Sequence, residues 1–191
     1  MLQNKRNFLL CLLMLPAVLA GSTSAMASWP EGANTVARGL APARNQAVKT
    51  LQPYQGEFRI LGRKDYQADQ EAKFSPMDFA VSEGVLASRH YYPLIGVKQD
   101  NRYLTWGVKY LPLPAKRMKE LVSNIHIIPA TPHIADLLKK VNQGDLVRMR
   151  GDLVEVDDNG WTWKSSLSRD DVGDGACEIL RVSAIEWVEK T

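Results

Sequence analysis

The sequence predicts a mainly β domain with short helices, an α+β fold built around a small Greek-key β-barrel. Several segments alternate apolar and polar side chains, which is the pattern of strands with one buried face. Turn residues separate these segments, most clearly at Gln99-Asp100-Asn101 and at Asn159-Gly160. The helix signals between them are short, and each has a proline at or just before its start. We therefore expect one mainly β domain after an N-terminal leader.

Residues 1–27 have the three parts of a secretory signal peptide. Lys5 and Arg6 supply a basic start, an apolar run follows from Phe8 to Ala20, and Ala25-Met26-Ala27 fits a cleavage site. The apolar run is shorter than the roughly 20 residues that a spanning helix needs. The sequence therefore predicts a periplasmic or secreted protein with no membrane span once the leader is removed.

Cleavage after Ala27 would make Ser28 the first residue of the exported protein. N-terminal sequencing of the periplasmic or secreted product should therefore begin at Ser28. A product that retains Met1 and fractionates with membranes would contradict this expectation, because it would show that the leader is an uncleaved anchor.

The chain after the leader is close to electrically neutral. Its formal net charge falls from +3 to +1 without Lys5 and Arg6, so charge does not favour a nucleic-acid partner. Cys177 is then the one remaining cysteine, which excludes an intramolecular disulfide. The histidines lack zinc spacing, and the acidic run at 170–174 lacks the spacing of a calcium loop. We therefore expect no metal and no other cofactor.

The first elements can be assigned from turn residues and caps. Residues 28–52 are rich in proline and glycine and are expected to form a flexible extension, with the domain at 53–191. The alternation in 57–61 indicates a first strand. Ser75-Pro76 has the order of an N-cap followed by a first-turn proline, which predicts a short helix that ends at Gly84.

The middle of the chain is predicted as a hairpin followed by a helix and a strand. Residues 92–98 and 102–109 flank a polar turn and would pair as the hairpin. Period-2 spacing assigns its core face to Ile95, Val97, Leu104, Trp106 and Val108. Residues 115–121 are then expected to be helical, and 125–128 extended up to Pro129.

The last third is predicted to be one helix and then strands. Thr131-Pro132 begins a helix whose apolar stripe runs to Val141, with Gly144 just past its end. A strand follows from Val147, Gly151 allows a bulge within it, and a returning strand after Asn159-Gly160 carries Trp161 and Trp163. Both tryptophans are expected to fill the barrel, with Trp163 beside Leu104, Trp106 and Val108, and a final strand spans 179–188.

A helix between the third and fourth strands of a small barrel is the arrangement of an OB-fold. An SH3-like barrel fits the strand pattern nearly as well, but the position of the helix favours the OB-fold. The sequence therefore predicts an OB-fold-like barrel at 53–191.

Four blocks of sequence resemble an uncharacterised family of exported bacterial proteins. The blocks lie at 60–66, 74–80, 123–130 and 161–178. Their most specific parts are Ser-Asn-x-His-x-Ile-Pro-Ala at 123–130 and Gly-Ala-Cys-Glu at 175–178. The resemblance covers the chain from about Tyr54 to its end. It implies homology and an OB-fold-like structure, and it implies no activity.

Cys177 and His126 define an enzymatic hypothesis. If the fold brings them together, the imidazole could lower the pKa of the thiol and create a nucleophile, with Arg169 as an anion clamp. Free cysteine is more often a small buried hydrophobe, and the local sequence lacks a signature of thiol enzymes. The catalytic assignment therefore remains the alternative hypothesis.

The leading hypothesis is a non-enzymatic binding or assembly module of the cell envelope. It would bind an envelope protein or another envelope component through loops at one end of the barrel, with candidate residues Ser123, Asn124, Arg169 and Asp171. Nucleic-acid binding by Tyr103, the tryptophans, Arg148 and Arg150 is not favoured, because the tryptophans are expected in the core and the arginines in solvent.

Overall fold

The computed structural model describes residues 47–110, 112–168 and 177–191. Short 3-10 turns lie at Glu71–Lys73, Gly84–Ala87 and Tyr92–Leu94. No helix in these ranges is long and apolar enough to cross a membrane. The strands and helices are β1 (Val48–Asp65), β2 (Met77–Ser82), β3 (Ile95–Asp100), β4 (Tyr103–Val108), α1 (Ala115–Leu121), β5 (Val122–Pro129), α2 (Pro132–Leu138), β6 (Leu146–Asp158), β7 (Trp161–Lys164) and β8 (Glu178–Glu189).

Five strands are hydrogen-bonded in a closed cycle, which confirms the mainly β prediction. The long strand β1 pairs antiparallel with β2 through one half and with β6 through the other. Strand β2 continues to β5, β5 pairs parallel with β8, and β8 returns antiparallel to β6. The short strand β7 extends the sheet from β6. Pairing therefore leads from β1 through β2, β5, β8 and β6 back to β1.

The main core lies inside this cycle. Alternate residues of each strand point inward, and α2 adds Ile134 and Leu138 to the same cluster. Thr131 caps α2, since its Oγ1 accepts a hydrogen bond of 3.2 Å from the backbone N–H of Ile134, as predicted. Other buried members include Phe58, Ile60, Phe79, Val81, Ile125, Ile127, Met149, Leu153, Leu180 and Val182.

The helix predicted after Ser75-Pro76 is wrong, because residues 77–82 form strand β2. All six residues of β2 are buried. The strand runs between β1 and β5 with the main core on one face and the hairpin of β3 and β4 over the other. Burial on both faces removes the apolar and polar alternation that identifies a half-buried strand. Ser75 does not cap a helix, because its Oγ donates a hydrogen bond of 3.2 Å to the carbonyl of Met77.

The hairpin of β3 and β4 is confirmed, and so is its predicted apolar face. Antiparallel pairing runs from Ile95 opposite Val108 to Asp100 opposite Tyr103. Its apolar side chains pack on a second cluster that includes Leu61, Ala80 and Met118. The hairpin therefore covers the outer face of β2, and its turn lies near the segment that joins β1 to β2.

Two predictions about the ends of the sheet need correction. Strand β1 begins at Val48, within the region expected to be a flexible extension, because residues 48–52 pair with 153–156 of β6. Trp161 and Trp163 do not fill the barrel but lie half-buried on β7, against Ile128, Val154, Val156 and Ile179. They are separated from the cluster that holds Leu104, Trp106 and Val108.

Candidate functional site

Four ring side chains form a continuous line across three parts of the fold, here called the aromatic row. Phe74 comes from the segment between β1 and β2, Trp161 and Trp163 come from β7, and His126 comes from β5. Successive ring centroids lie 6.4 Å, 5.9 Å and 4.8 Å apart in the order Phe74, Trp161, Trp163, His126. The first two pairs are inclined by only 21° and 32°. The row therefore joins separate segments, with Phe74, Trp161 and Trp163 partly exposed and His126 buried at its end.

Local sequence explains why both tryptophans share one face. Asn159 and Gly160 adopt positive φ angles of 54° and 86°, the conformation that the predicted two-residue hairpin turn requires. The alternation in β7 then turns Trp161 and Trp163 to one side and leaves Thr162 exposed on the other. Because Ile128, Val154, Val156 and Ile179 support them, the tryptophans are held in place while part of each remains accessible.

The charged side chains nearest the row are already paired. Lys73, next to Phe74, lies 3.4 Å from Asp158, which pairs with Trp161 in the sheet. Lys164, next to Trp163, lies 3.6 Å from Glu155. Glu155, Lys164 and the exposed Asp157 lie on the opposite face of the sheet from the tryptophans, because Glu155 is paired with Lys164 and Asp157 with Thr162. Asp158, which is paired with Trp161, is therefore the carboxylate of this turn that shares the face of the tryptophans, and Lys73 is its partner.

Beside the row lies a buried polar network centred on Asp78, which is fully buried on β2. Arg102 Nη1 donates a hydrogen bond of 2.8 Å to Asp78 Oδ1, and Asn124 Nδ2 donates one of 3.2 Å to Oδ2. His126 Nδ1 lies 2.9 Å from Oδ1. Gln99 of the hairpin donates to Asn124 Oδ1 at 2.8 Å. The network therefore ties β2, β5 and the hairpin together.

Arg102 also binds the segment between β1 and β2. Its Nε and Nη2 donate to both oxygens of Asp69 at 2.9 Å and 2.7 Å, and Nη2 also donates to the carbonyl of Ser75 at 3.0 Å. Its guanidinium stacks over the Tyr66 ring, 3.6 Å from the centroid. The residues on both sides of Phe74 are thus fixed by one side chain from the hairpin turn.

The network sets the ionisation of its own members. Burial, followed by the negative charge of Asp78, raises the pKa of Tyr66 to about 12, which keeps its phenol neutral. The hydrogen bonds from Arg102 lower the pKa of Asp69 despite partial burial. Burial opposes the charge on Arg102, but its bonds to Asp69 and Asp78 outweigh that effect and raise its pKa. At neutral pH the arginine therefore remains charged between two carboxyl groups.

The structure brings two of the predicted site residues together. Asn124 and His126 alternate onto the same side of β5 and both contact Asp78. Ser123 lies on the opposite side of that strand, and its buried hydroxyl has no hydrogen-bond partner within the described ranges. Sequence reasoning missed Asp78, Arg102 and Phe74. The Asp78 carboxylate in an otherwise apolar run, Met77-Asp78-Phe79-Ala80-Val81, was the available signal.

The remaining candidates lie around the start of β8. Cys177 is half-buried immediately before that strand, and its carbonyl accepts a hydrogen bond of 3.0 Å from the N–H of Ser166. Sheet register then sets Ile179 beside His126. Arg169 and Asp171 lie outside the described residues. In the described part of the chain, no group of three or more His, Cys, Asp or Glu side chains could hold a metal ion.

Similarity to known proteins is found at the level of structure. No family model matches the chain, and no curated protein matches it. Among solved structures, a mitochondrial single-stranded DNA binding protein from S. cerevisiae, Rim1, is similar at 13% sequence identity. The match covers 73% of this chain and 96% of that chain, with a TM-score of 0.29.

Proposed function

We propose that this chain is an exported, non-enzymatic binding module of the cell envelope, built on an OB-fold barrel. Its ligand surface is the partly exposed part of the aromatic row, formed by Phe74, Trp161 and Trp163, at one end of that barrel. The observation that carries the proposal is the continuity of Phe74, Trp161, Trp163 and His126 across separate segments of the fold.

The strand order supports an OB-fold. In chain order the five strands of the cycle are β1, β2, β5, β6 and β8, and the cycle joins them as first, second, third, fifth and fourth. Such an order is a Greek-key connection, and α2 lies between the third and fourth of these strands. OB-fold barrels bind ligands with the loops after the first and fourth strands and with the face of the second and third.

The aromatic row occupies both of these loop positions. Phe74 belongs to the segment after the first strand, and Trp161 and Trp163 belong to the segment between the fourth and fifth. The outer face of β2 is covered instead by the chain's own hairpin through Ala80 and its apolar neighbours. Ligand binding is therefore directed to the loop end, where half-buried aromatic side chains combine large contact area with little conformational freedom to lose.

The buried network supports a binding role because it fixes the shape of the row. Arg102 commits its donors to Asp69, Asp78 and Ser75, so it acts as a tether between the loop and the sheet. His126 faces Asp78 on one side and Trp163 on the other. Because these side chains are already ordered, the protein loses less conformational entropy when a ligand binds. The proposal that the protein is exported is supported by the signal peptide predicted at residues 1–27 and by the resemblance to exported proteins.

Cosedimentation with purified bacterial envelopes tests the proposal. Trp161→Ala should lose most of the envelope binding of the exported protein, since it removes the middle of the row, whereas Trp161→Phe should retain part of it. Tyr110→Ala is the matched control, because it removes an aromatic side chain that is 58% exposed and absent from the row.

Folding of each variant is checked by urea denaturation. Equal sedimentation of Trp161→Ala and the wild type would overturn the proposal, as would equal losses in Trp161→Ala and Tyr110→Ala.

A further inference from the structure

Positive charge is concentrated at helix α1 and in the segment that leads into it. The exposed basic side chains of this region, here called the basic patch, are Lys109, Lys116, Arg117 and Lys119. With one glutamate they give residues 109–121 a net charge of +3, whereas the chain after the leader totals +1, so the rest of it carries −2. We propose that the basic patch docks the protein on the surface of an anionic lipid bilayer. This inference concerns residues outside the aromatic row and goes beyond the proposed function.

The charges of the basic patch are available to a partner. In the part of the chain that the structure describes, Lys109, Lys116 and Lys119 take part in no ion pair, and Arg117 pairs with Glu120 of its own helix at 2.6 Å. Many basic side chains on other elements are instead paired with carboxylates, namely Arg59, Arg63, Lys73, Arg89, Arg102, Lys139, Arg148 and Lys164. An anionic surface would therefore be attracted to this side of the molecule.

The packing of α1 spreads these charges apart. Met118 is the buried residue of the helix and fixes it on the cluster that includes Leu61 and Ala80. At about 100° per residue, Arg117 and Lys119 lie about 100° to either side of Met118, and Lys116 lies about 160° from it. Side chains that diverge in this way do not converge on one phosphate group. Their long stems can all reach a flat layer of lipid headgroups below the helix.

Two features favour a bilayer over a macromolecular partner. Proteins that bind single-stranded nucleic acid combine cations and stacked aromatic rings on one surface. Here the neighbouring rings of Trp161 and Trp163 belong to a different cluster from the one that holds α1. Protein interfaces have an apolar centre in which lysine is depleted, and α1 exposes no large apolar side chain. A lipid surface requires charge alone.

Attraction to lipid would support binding by the aromatic row without replacing it. Each basic side chain near an anionic bilayer strengthens binding by about fivefold, so four of them give weak and reversible attachment. The row therefore remains the main determinant of envelope binding. Tyr110 adjoins the basic patch, but Tyr110→Ala removes no charge and should leave this attraction unchanged.

Sedimentation with lipid vesicles tests the basic patch. The exported chain should bind vesicles of phosphatidylglycerol and phosphatidylcholine at least about tenfold more tightly than vesicles of phosphatidylcholine alone. High salt should abolish the difference, because it screens exposed charges. The double variant Lys116→Gln/Lys119→Gln should weaken binding to the anionic vesicles by about tenfold or more.

The matched control is the double variant Lys139→Gln/Lys140→Gln. It removes two exposed lysines at the end of α2 and lowers the net charge by the same amount, so it should bind the anionic vesicles like the wild type. All four substituted positions are exposed, and both double variants should keep the urea midpoint of the wild type. Equal losses of binding in the two double variants would overturn the inference, since net charge alone would then explain the attraction.

Other results would also overturn it. Equal binding to anionic and neutral vesicles would show that charge does not direct the contact. Competition by free glycerol phosphate at low concentration would indicate a site for a small anion, and oligothymidylate that binds more tightly than the anionic vesicles and depends on Lys116 and Lys119 would indicate nucleic acid. Trp161→Ala should leave vesicle binding unchanged while it lowers envelope binding, so failure of this inference is distinguishable from failure of the proposed function.

Discussion

Replacement of Asp78 by alanine should lower the free energy of unfolding by about 3 to 5 kcal/mol. The carboxylate is fully buried and accepts hydrogen bonds from Arg102 and Asn124, and His126 Nδ1 lies 2.9 Å from its Oδ1. Its removal takes one acceptor each from a largely buried guanidinium and a buried amide. Arg102 keeps Asp69 and the Ser75 carbonyl, and Asn124 keeps the Arg102 carbonyl, so the desolvation of the two donors is only partly compensated. The loss is measured as a decrease in the urea midpoint at constant slope.

Asp65→Ala is the matched control for this prediction. Asp65 lies at the end of β1 opposite Met77 and pairs with Arg63, but its side chain is 55% exposed. An exposed ion pair contributes at most about 1 kcal/mol, so the control should change stability little. Asp78→Asn should fall between the two, because it keeps an acceptor oxygen but loses the charge. Equal midpoints for Asp78→Ala and Asp65→Ala would show that the network does not stabilise the fold.

Local signals in the sequence were sufficient for the hairpins and for α2. Asn159-Gly160 specifies its turn through two positive φ angles, and Thr131 caps α2 through its own side chain. These features depend on residues within a few positions of one another. The same local logic failed at 77–82, where an apparent cap preceded a strand that is buried on both faces. Burial on the second face is supplied by a hairpin about twenty residues further along the chain, so no local pattern could reveal it.

The tryptophans show a second limit of sequence reasoning. Alternation correctly assigned Trp161 and Trp163 to one face of β7, but a period of two does not say what that face meets. In the structure β7 extends β6 beyond the closed cycle. Its apolar face therefore packs on Val154, Val156 and Ile179 and remains partly accessible. Their location outside the closed cycle of strands leaves them partly accessible, which the proposed binding role requires.

The candidate site was predictable only where strand periodicity sufficed. Asn124 and His126 share a face of β5 by alternation, and both are in the observed network. Arg102 could not be placed from the sequence, because its contact with Asp78 depends on the fold of the hairpin back over β2. The positive φ of 69° at Arg102 is itself a property of that turn. An ion pair between residues far apart in the chain, such as Arg102 and Asp78, therefore cannot be predicted from strand periodicity.

Gly151→Ala should destabilise the protein by about 3 kcal/mol or more, at the upper end of overpacking costs. A Cβ atom at this position would lie 2.0 Å from the carbonyl oxygen of Arg181 and 2.8 Å from its carbonyl carbon. Both obstructing atoms are backbone, so no side-chain rotation can relieve the clash. The position also carries the shift of register between β6 and β8, as the sequence predicted for a bulge.

Gly107→Ala separates this steric effect from the general cost or benefit of a strand alanine. Gly107 is also a strand residue, yet a Cβ there meets no atom within 4 Å. Its replacement should be neutral or stabilising by a few tenths of a kcal/mol, because alanine restricts the unfolded chain. Urea denaturation of the two variants should therefore give well-separated midpoints. Coincident midpoints would mean that β6 and β8 can move apart at little cost, and that the close approach at Gly151 does not determine how the cycle of strands closes.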